Sequence, residues 1–176
     1  MTSDLFAFLS TLQSEGRLVS PIDLEILEAP SEAVAAETMD AWFDGANWRA
    51  TGHRVVAFAQ DGTGGQFGLW HYPELDGEPP VVLLGSEGSA AVLADSLLDF
   101  VRQTCAGMQW YPFEGEWNPI DEDEIDEDDE YALDLAGLRA RADAELGPWT
   151  ETSEAMMKRG VERHPDFKAW VEGLRG

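Results

Sequence analysis

The chain has few of the residues that build covalent, metal-bound or membrane-spanning structures. It contains a single cysteine, Cys105, which excludes an internal disulfide bond and a cysteine-based zinc site. The longest dense apolar run, Val81–Leu84, is far too short to span a membrane. We expect no signal peptide, because the N-terminal segment before Gly16 carries no basic residue and includes Asp4. These features predict a cytoplasmic protein.

Basic residues are also scarce. The chain has 11 Lys and Arg against 35 Asp and Glu, a formal net charge of -24 over 176 residues. Such a protein repels nucleic acid and anionic membranes, so neither is an expected partner, and it attracts basic proteins. The acidity is densest in DEDEIDEDDE, Asp121–Glu130. This tract is either a solvated linker or a binding element.

Patterns of catalysis and cofactor binding are absent. There is no Gly-x-Ser-x-Gly motif, and His53, His71 and His164 are scattered along the chain. The acidic tract lacks the turn glycine of a calcium loop and has Ile125 where a ligand is needed. We therefore predict no catalytic, cofactor or metal residues. A small enzyme remains an alternative, and it would require a deep pocket near His71 or Glu87.

A glycine-rich segment, Asp61–Gly65, lies between two segments rich in β-branched and aromatic residues, Arg54–Ala59 and Gln66–Tyr72. A phosphate-binding loop needs a lysine after its last glycine and a helix directly following, and this chain has neither here. The pattern predicts a β-hairpin whose turn requires positive φ angles.

Apolar periodicity and capping residues predict the remaining elements. Helices are expected from about Ser3 to Gly16, Ser31–Phe43, Ser89–Cys105, Leu133–Leu146 and Phe167–Leu174. A short strand is expected after Leu18, and Pro80–Gly85 has the continuous apolar character of a strand buried on both faces. Cys105 falls on the apolar stripe of its predicted helix and is expected in the core.

The segment from Met108 to Trp117 is predicted to be an aromatic loop beside the acidic tract. It contains Trp110, Tyr111 and Phe113 in addition to Trp117. Aromatic side chains surrounded by charge are typical of protein-binding surfaces, and these four either form such a surface or cover the core.

A set of short motifs between residues 55 and 107 resembles one known family. The motifs are Phe58-Ala59, Asp61–Gly65, Leu69-Trp70, Pro80-Val81-Val82, Gly85–Gly88 and the helix that ends at Cys105. In this combination the chain is similar to the SUKH superfamily, which contains bacterial immunity proteins related to the yeast Smi/Knr cell-wall regulators.

The resemblance implies an α+β fold with a mainly antiparallel sheet flanked by helices, here with extra C-terminal helices. We expect a SUKH-like domain over residues 1–113, an acidic linker over 114–131 and a C-terminal helical extension over 132–176, packed on the same domain. The implied function is non-enzymatic: an immunity protein that neutralises a basic toxin, for example a nuclease, by direct contact. The alternative is an intracellular scaffold or regulatory domain with a non-toxin partner.

On the immunity hypothesis the carboxylates of the tract imitate a phosphate backbone and the neighbouring aromatic residues supply apolar contacts. The residues predicted to bind the partner are Trp110, Tyr111, Phe113, Trp117, Asp121, Glu122, Asp123, Glu124, Asp126, Glu127, Asp128, Asp129 and Glu130.

Replacing the carboxylates of Asp121–Glu130 by Asn and Gln separates the two interpretations of the tract. If the tract imitates phosphate, the affinity for a basic partner falls and its dependence on salt becomes weaker, because fewer counter-ions are exchanged. Titration of the partner at several salt concentrations measures both quantities. Unchanged affinity and unchanged salt dependence would show that the tract is only a linker.

Overall fold

The protein has an α+β fold, seen in a computed structural model that describes residues 2–27, 31–44, 46–111, 116–121, 123, 125 and 132–175. Five antiparallel strands form a sheet in the order β1-β2-β3-β4-β5, and β6 and β7 form a separate hairpin. The strands are β1 (Leu24–Ile26), β2 (Arg54–Asp61), β3 (Gln66–His71), β4 (Val81–Leu84), β5 (Ala90–Ala94), β6 (Met108–Tyr111) and β7 (Glu116–Pro119). The described helices are α1 (Thr2–Ser14), α2 (Glu32–Trp42), α3 (Trp48–Thr51), α4 (Leu97–Cys105), α5 (Leu135–Leu146), α6 (Ser153–Arg163) and α7 (Phe167–Arg175). The fold class expected from the sequence is confirmed.

The main sheet is covered on both faces. Alternate residues of a strand point to opposite faces, so Val81 and Leu83 join one apolar cluster while Val82 and Leu84 join another. The first cluster lies under α1, α4 and α5, and the second lies under α2 and α7. All four residues of β4 are buried, which confirms the prediction of a strand buried on both faces.

The glycine-rich segment is a hairpin turn, as predicted. The Asp61 carboxylate accepts hydrogen bonds from the backbone N–H groups of Thr63 and Gly65 and from the Thr63 hydroxyl, at 2.7–2.9 Å. Gly64 has φ +88°, a conformation that a side chain would strain. The Ser86 hydroxyl donates to Thr63 Oγ1 at 2.9 Å, so the tips of two hairpins are joined.

The helix predicted over Ser89–Cys105 is wrong in its first half. Ala90–Ala94 forms β5 and pairs with β4, and α4 begins only at Leu97 after the Ser96 N-cap. Alanine favours helices when isolated, but here the turn at Gly85–Ser89 brings this segment alongside β4. Ladder hydrogen bonds and burial then outweigh the local preference. Cys105 is fully buried at the end of α4, which confirms its predicted place in the core.

The aromatic segment after α4 is not a loop. Met108–Tyr111 and Glu116–Pro119 pair as β6 and β7, with Trp110 opposite Trp117. Within the predicted linker, Glu116–Pro119 is therefore a strand. Strand pairing and apolar alternation place both tryptophans toward the core. The sequence did not predict this, because aromatic and acidic residues are mixed in this segment.

The C-terminal helices contact the rest of the fold. α5 packs against α4, and both α6 and α7 pack against β5. α6 was missing from the sequence prediction. It lies so close to β5 that a Cβ atom at Gly160 would approach the backbone of Ala94 and Asp95 to 3.0 Å.

We predict opposite effects of two Gly→Ala substitutions in the C-terminal helices. Gly160→Ala forces α6 away from β5 and lowers the free energy of unfolding by about 1–3 kcal/mol. Gly173→Ala in α7 is the control, because a Cβ there meets nothing within 4 Å and alanine raises the free energy of unfolding by about 0.5–1 kcal/mol. Denaturant unfolding of both variants measures the two changes, and equal effects would disprove the close contact.

Candidate functional site

An apolar surface groove lies between the β6–β7 hairpin and α6. Its volume is about 610 Å³, and we call it the hairpin–α6 groove. It is lined by Met108, Trp117, Asn118 and Pro119 from the hairpin and by Ser153, Glu154, Met157, Lys158, Val161 and Glu162 from α6. It is larger than two other surface concavities in the described part of the chain, of about 320 and 360 Å³.

Trp117 forms the floor of the groove and is held rigidly. Its indole N–H donates to the side-chain oxygen of Gln103 at 2.9 Å, and the Gln103 amide donates to the Leu93 carbonyl at 3.1 Å. Gln103 is completely buried, so this chain of bonds satisfies a polar side chain that would otherwise be costly inside the core. The Trp117 ring also stacks on Phe100 with centroids 5.7 Å apart. These contacts therefore hold the Trp117 ring in one orientation on the floor of the groove.

α6 forms the wall of the groove, and its two faces differ in burial. Met156 and Gly160 face inward and are buried, whereas Met157 and Val161 face the groove. Val161 is 60 % exposed, and it is the only large hydrophobic residue recorded as exposed in the described part of the chain. The spacing of four residues puts Met157 and Val161 next to each other on one helical face.

An ionic cluster fixes α6 to the sheet. Arg159 contacts three carboxylates: Asp99 at 2.6 Å, Asp95 at 3.3 Å and Glu151. The hydrogen bonds to Asp99 and, to a lesser extent, to Glu151 raise the pKa of Arg159, so its charge is permanent. Arg163 adds a contact of 2.6 Å to Asp95. The cluster joins α6 to α4 and to the residue that directly follows β5.

His164 continues this cluster into the core. Its Nε2 lies 2.8 Å from Asp95 Oδ1, and its Nδ1 lies 2.9 Å from the Tyr72 hydroxyl. The side chains of His164 and Asp95 are 6 % and 9 % exposed. This Tyr–His–Asp arrangement resembles a catalytic relay, but none of its three members lines the hairpin–α6 groove or the two smaller concavities. Its visible role is to lock the turn between α6 and α7.

The rim of the groove carries both signs of charge with an acidic excess. Glu154 and Glu162 lie one helical turn on either side of Lys158, and the Lys158–Glu162 pair is 3.8 Å apart and highly exposed. An exposed pair of this kind contributes little to stability and breaks easily. The acidic tract begins with exposed Asp121, two residues after Pro119 of the groove.

The structure separates the residues predicted to bind a partner. Trp110 and Trp117 are 8 % and 5 % exposed, so they serve chiefly as core, and only Trp117 lines the groove. Tyr111 is half-buried, with its hydroxyl 3.3 Å from the Pro119 carbonyl. Asp121 and Asp123 are exposed. Phe113, Glu122, Glu124, Asp126, Glu127, Asp128, Asp129 and Glu130 lie outside the described residues.

Sequence reasoning missed the residues of α6 that line the groove. The available indication was a spacing: Met157 and Val161 are four residues apart, one position out of phase with buried Met156 and Gly160. A second apolar row of this kind on a short helix indicates a second contact surface.

Burial shifts the pKa values of three other titratable side chains, His53, His71 and Cys105. Burial lowers the pKa of His53 and of His71, and it raises the pKa of Cys105 to about 12. A thiol of this kind stays protonated and unreactive. Within the described residues there is no group of three or more His, Cys, Asp and Glu that is able to hold a metal ion. No helix in the same part of the chain is long and apolar enough to cross a membrane.

Comparisons with protein-family models, curated proteins and solved structures found no match to this chain.

We predict that Asp95→Asn loosens α6, because Arg159, Arg163 and His164 share this carboxylate. Loss of a largely buried charge that pairs with several donors lowers the free energy of unfolding by about 2–4 kcal/mol. Thermal and denaturant unfolding measure the loss. Glu162→Gln, on the exposed face of the same helix, is the control and changes the free energy of unfolding by less than about 0.5 kcal/mol. Equal stability of the two variants would show that the cluster does not hold α6.

Proposed function

We propose that this chain is a non-enzymatic protein-binding domain that takes a basic protein partner. The observation that carries the proposal is the hairpin–α6 groove, an open apolar surface on a protein of net charge -24. Exposed apolar surface costs free energy in water and is typical of interaction sites. A tryptophan held on the groove floor, with a methionine of adaptable shape and an exposed valine on its wall, suits an apolar anchor from a partner.

The negative charge of the chain favours a partner of positive charge. A strongly negative surface speeds the encounter with a basic protein and repels acidic ones. At close range the exposed carboxylates of Glu154, Glu162, Asp121 and Asp123 give lysine and arginine side chains of a partner places to pair. Steering by charge and anchoring by the groove are separate contributions, and both favour the same class of protein.

Within this class, we propose an immunity protein that works in the cytoplasm. The resemblance of residues 55–107 to the SUKH superfamily supports it. A nuclease toxin binds phosphates in a positively charged cleft, so an acidic protein that covers the cleft blocks the substrate without any chemistry. On this proposal the acidic tract enters the cleft and the groove holds a neighbouring segment of the toxin.

An intracellular scaffold or regulatory domain is the second candidate. The apolar lining of the groove favours it as much as it favours immunity, since Met157 and Val161 select for hydrophobic partners of any activity. The two candidates differ in the partner: a scaffold needs one that is neither basic nor toxic.

Affinity capture at low and at moderate salt tests the proposal. The tagged chain is incubated with lysate of the organism that encodes it, and bound proteins are identified by mass spectrometry. We expect one strongly basic protein in stoichiometric amount, retained less well as salt rises, whose nuclease or other toxic activity the purified chain inhibits. A set of neutral proteins would favour the scaffold, and recovery of nothing at either salt concentration would contradict both candidates.

A further inference from the structure

We infer that the hairpin–α6 groove is the seat of one amphipathic, cationic helix of the partner, with its apolar face on Trp117, Met157 and Val161 and its lysine or arginine side chains on Glu154 and Glu162. This inference rests on the proposed function and adds the class of segment that is recognised and the residues that recognise it.

The apolar half of the inference follows from what the groove exposes. Val161 is 60 % exposed and Met157 is partly buried, and together with the hairpin residues they line a space of about 610 Å³. This volume lies within the usual range for ligand-binding clefts. Met157 is flexible enough to adapt to leucine or phenylalanine, whereas Trp117 is fixed through Gln103.

The charged half follows from the spacing along α6. Glu154 and Glu162 are eight residues apart and both line the groove, so they lie about 12 Å apart along the helix axis. Met157 and Val161 lie between them. A helix that packs along α6 with basic residues about two turns apart and apolar residues between them matches this order.

The carboxylates of the rim are available to an incoming cation. Within the described residues Glu154 has no recorded ion pair, and Glu162 shares only the 3.8 Å contact with Lys158. Both side chains in that contact are more than 60 % exposed, so exchange of Lys158 for a partner's arginine costs little.

Charge also excludes the main competing occupant. A second copy of this chain has the same apolar groove, but it also has the same net charge of -24, and two such surfaces repel each other. The negative electrostatic field of this chain attracts a cationic segment, whereas it repels a second copy of the chain.

Methyl NMR of the full chain, with ¹³C-labelled methionine methyl groups, tests the inference. Met108 and Met157 line the groove, and Met39 is fully buried in the other apolar cluster, so the chain holds its own internal control. The probe is a synthetic amphipathic Leu/Lys helix, and a Leu/Glu helix of the same length is the matched control peptide. We expect the Leu/Lys peptide to shift the Met108 and Met157 signals and leave Met39 unchanged, and the Leu/Glu peptide to shift none.

Variants identify the contributions of the wall and of the rim. Val161→Ser removes exposed apolar surface and weakens Leu/Lys binding at least about fivefold. Glu154→Gln combined with Glu162→Gln weakens it about fivefold at low salt and much less at high salt. The charge-matched control is Glu87→Gln combined with Glu172→Gln, two exposed carboxylates outside the groove lining, which leaves the affinity within about twofold. All the altered side chains are exposed, so the variants fold.

Three results would overturn the inference: groove methyl signals that do not move, equal effects of the Leu/Glu peptide, or equal loss of affinity in both charge variants. If the peptide binds only to the acidic tract, the groove methyl signals do not move. The proposed function fails differently. If affinity capture yields a basic partner that leaves Met108 and Met157 unmoved, the proposed function stands and the groove inference is wrong. If the groove binds the Leu/Lys peptide but no basic protein is captured, the proposed function is wrong.

Discussion

The structure depends on one cation, Arg159, placed among three carboxylates. Asp95 and Asp99 lie four residues apart and Glu151 comes just before α6, in a chain that has 35 acidic and only 11 basic residues; without a shared cation these carboxylates repel one another. Arg159 suits this place because its planar guanidinium donates in several directions and stays charged. Its contacts set the position of α6, and therefore the existence of the groove.

Two other contacts bring α6 into the same place. Gly160 lets the helix backbone approach β5, and His164 ends the helix between Asp95 and the Tyr72 hydroxyl. Close backbone packing gains dispersion energy, and the cost of burying Asp95 and His164 beside it is offset because both side chains have hydrogen-bond partners. The contacts of the inner face of α6 therefore all stabilise the fold. Its outer face carries Met157, which packs partly against the core, and exposed Val161, and on the proposed function this face contacts the partner.

The separation of stability from binding explains how an extremely acidic protein offers an apolar site. The main sheet is covered on both faces by apolar clusters. On the proposed function the surface charges attract a basic protein at long range, and the groove binds it at contact distance. A partner that satisfies both must combine basic and apolar residues in one segment, which is a narrow chemical class.

The sequence by itself determined the features that depend on neighbours along the chain. The Asp61–Gly65 turn, the doubly buried strand Val81–Leu84 and the buried Cys105 follow from local turn chemistry and apolar periodicity. Tertiary structure alone decided the others: Ala90–Ala94 became a strand because β4 was there to pair with it, and Trp117 became the floor of a groove because Gln103 holds its indole. The same holds for α6. Its second apolar row lines a groove only because Arg159 and Gly160 fix the inner face of the helix to the sheet. Contacts between residues sixty positions apart are set by the free energy of packing, which no local pattern records.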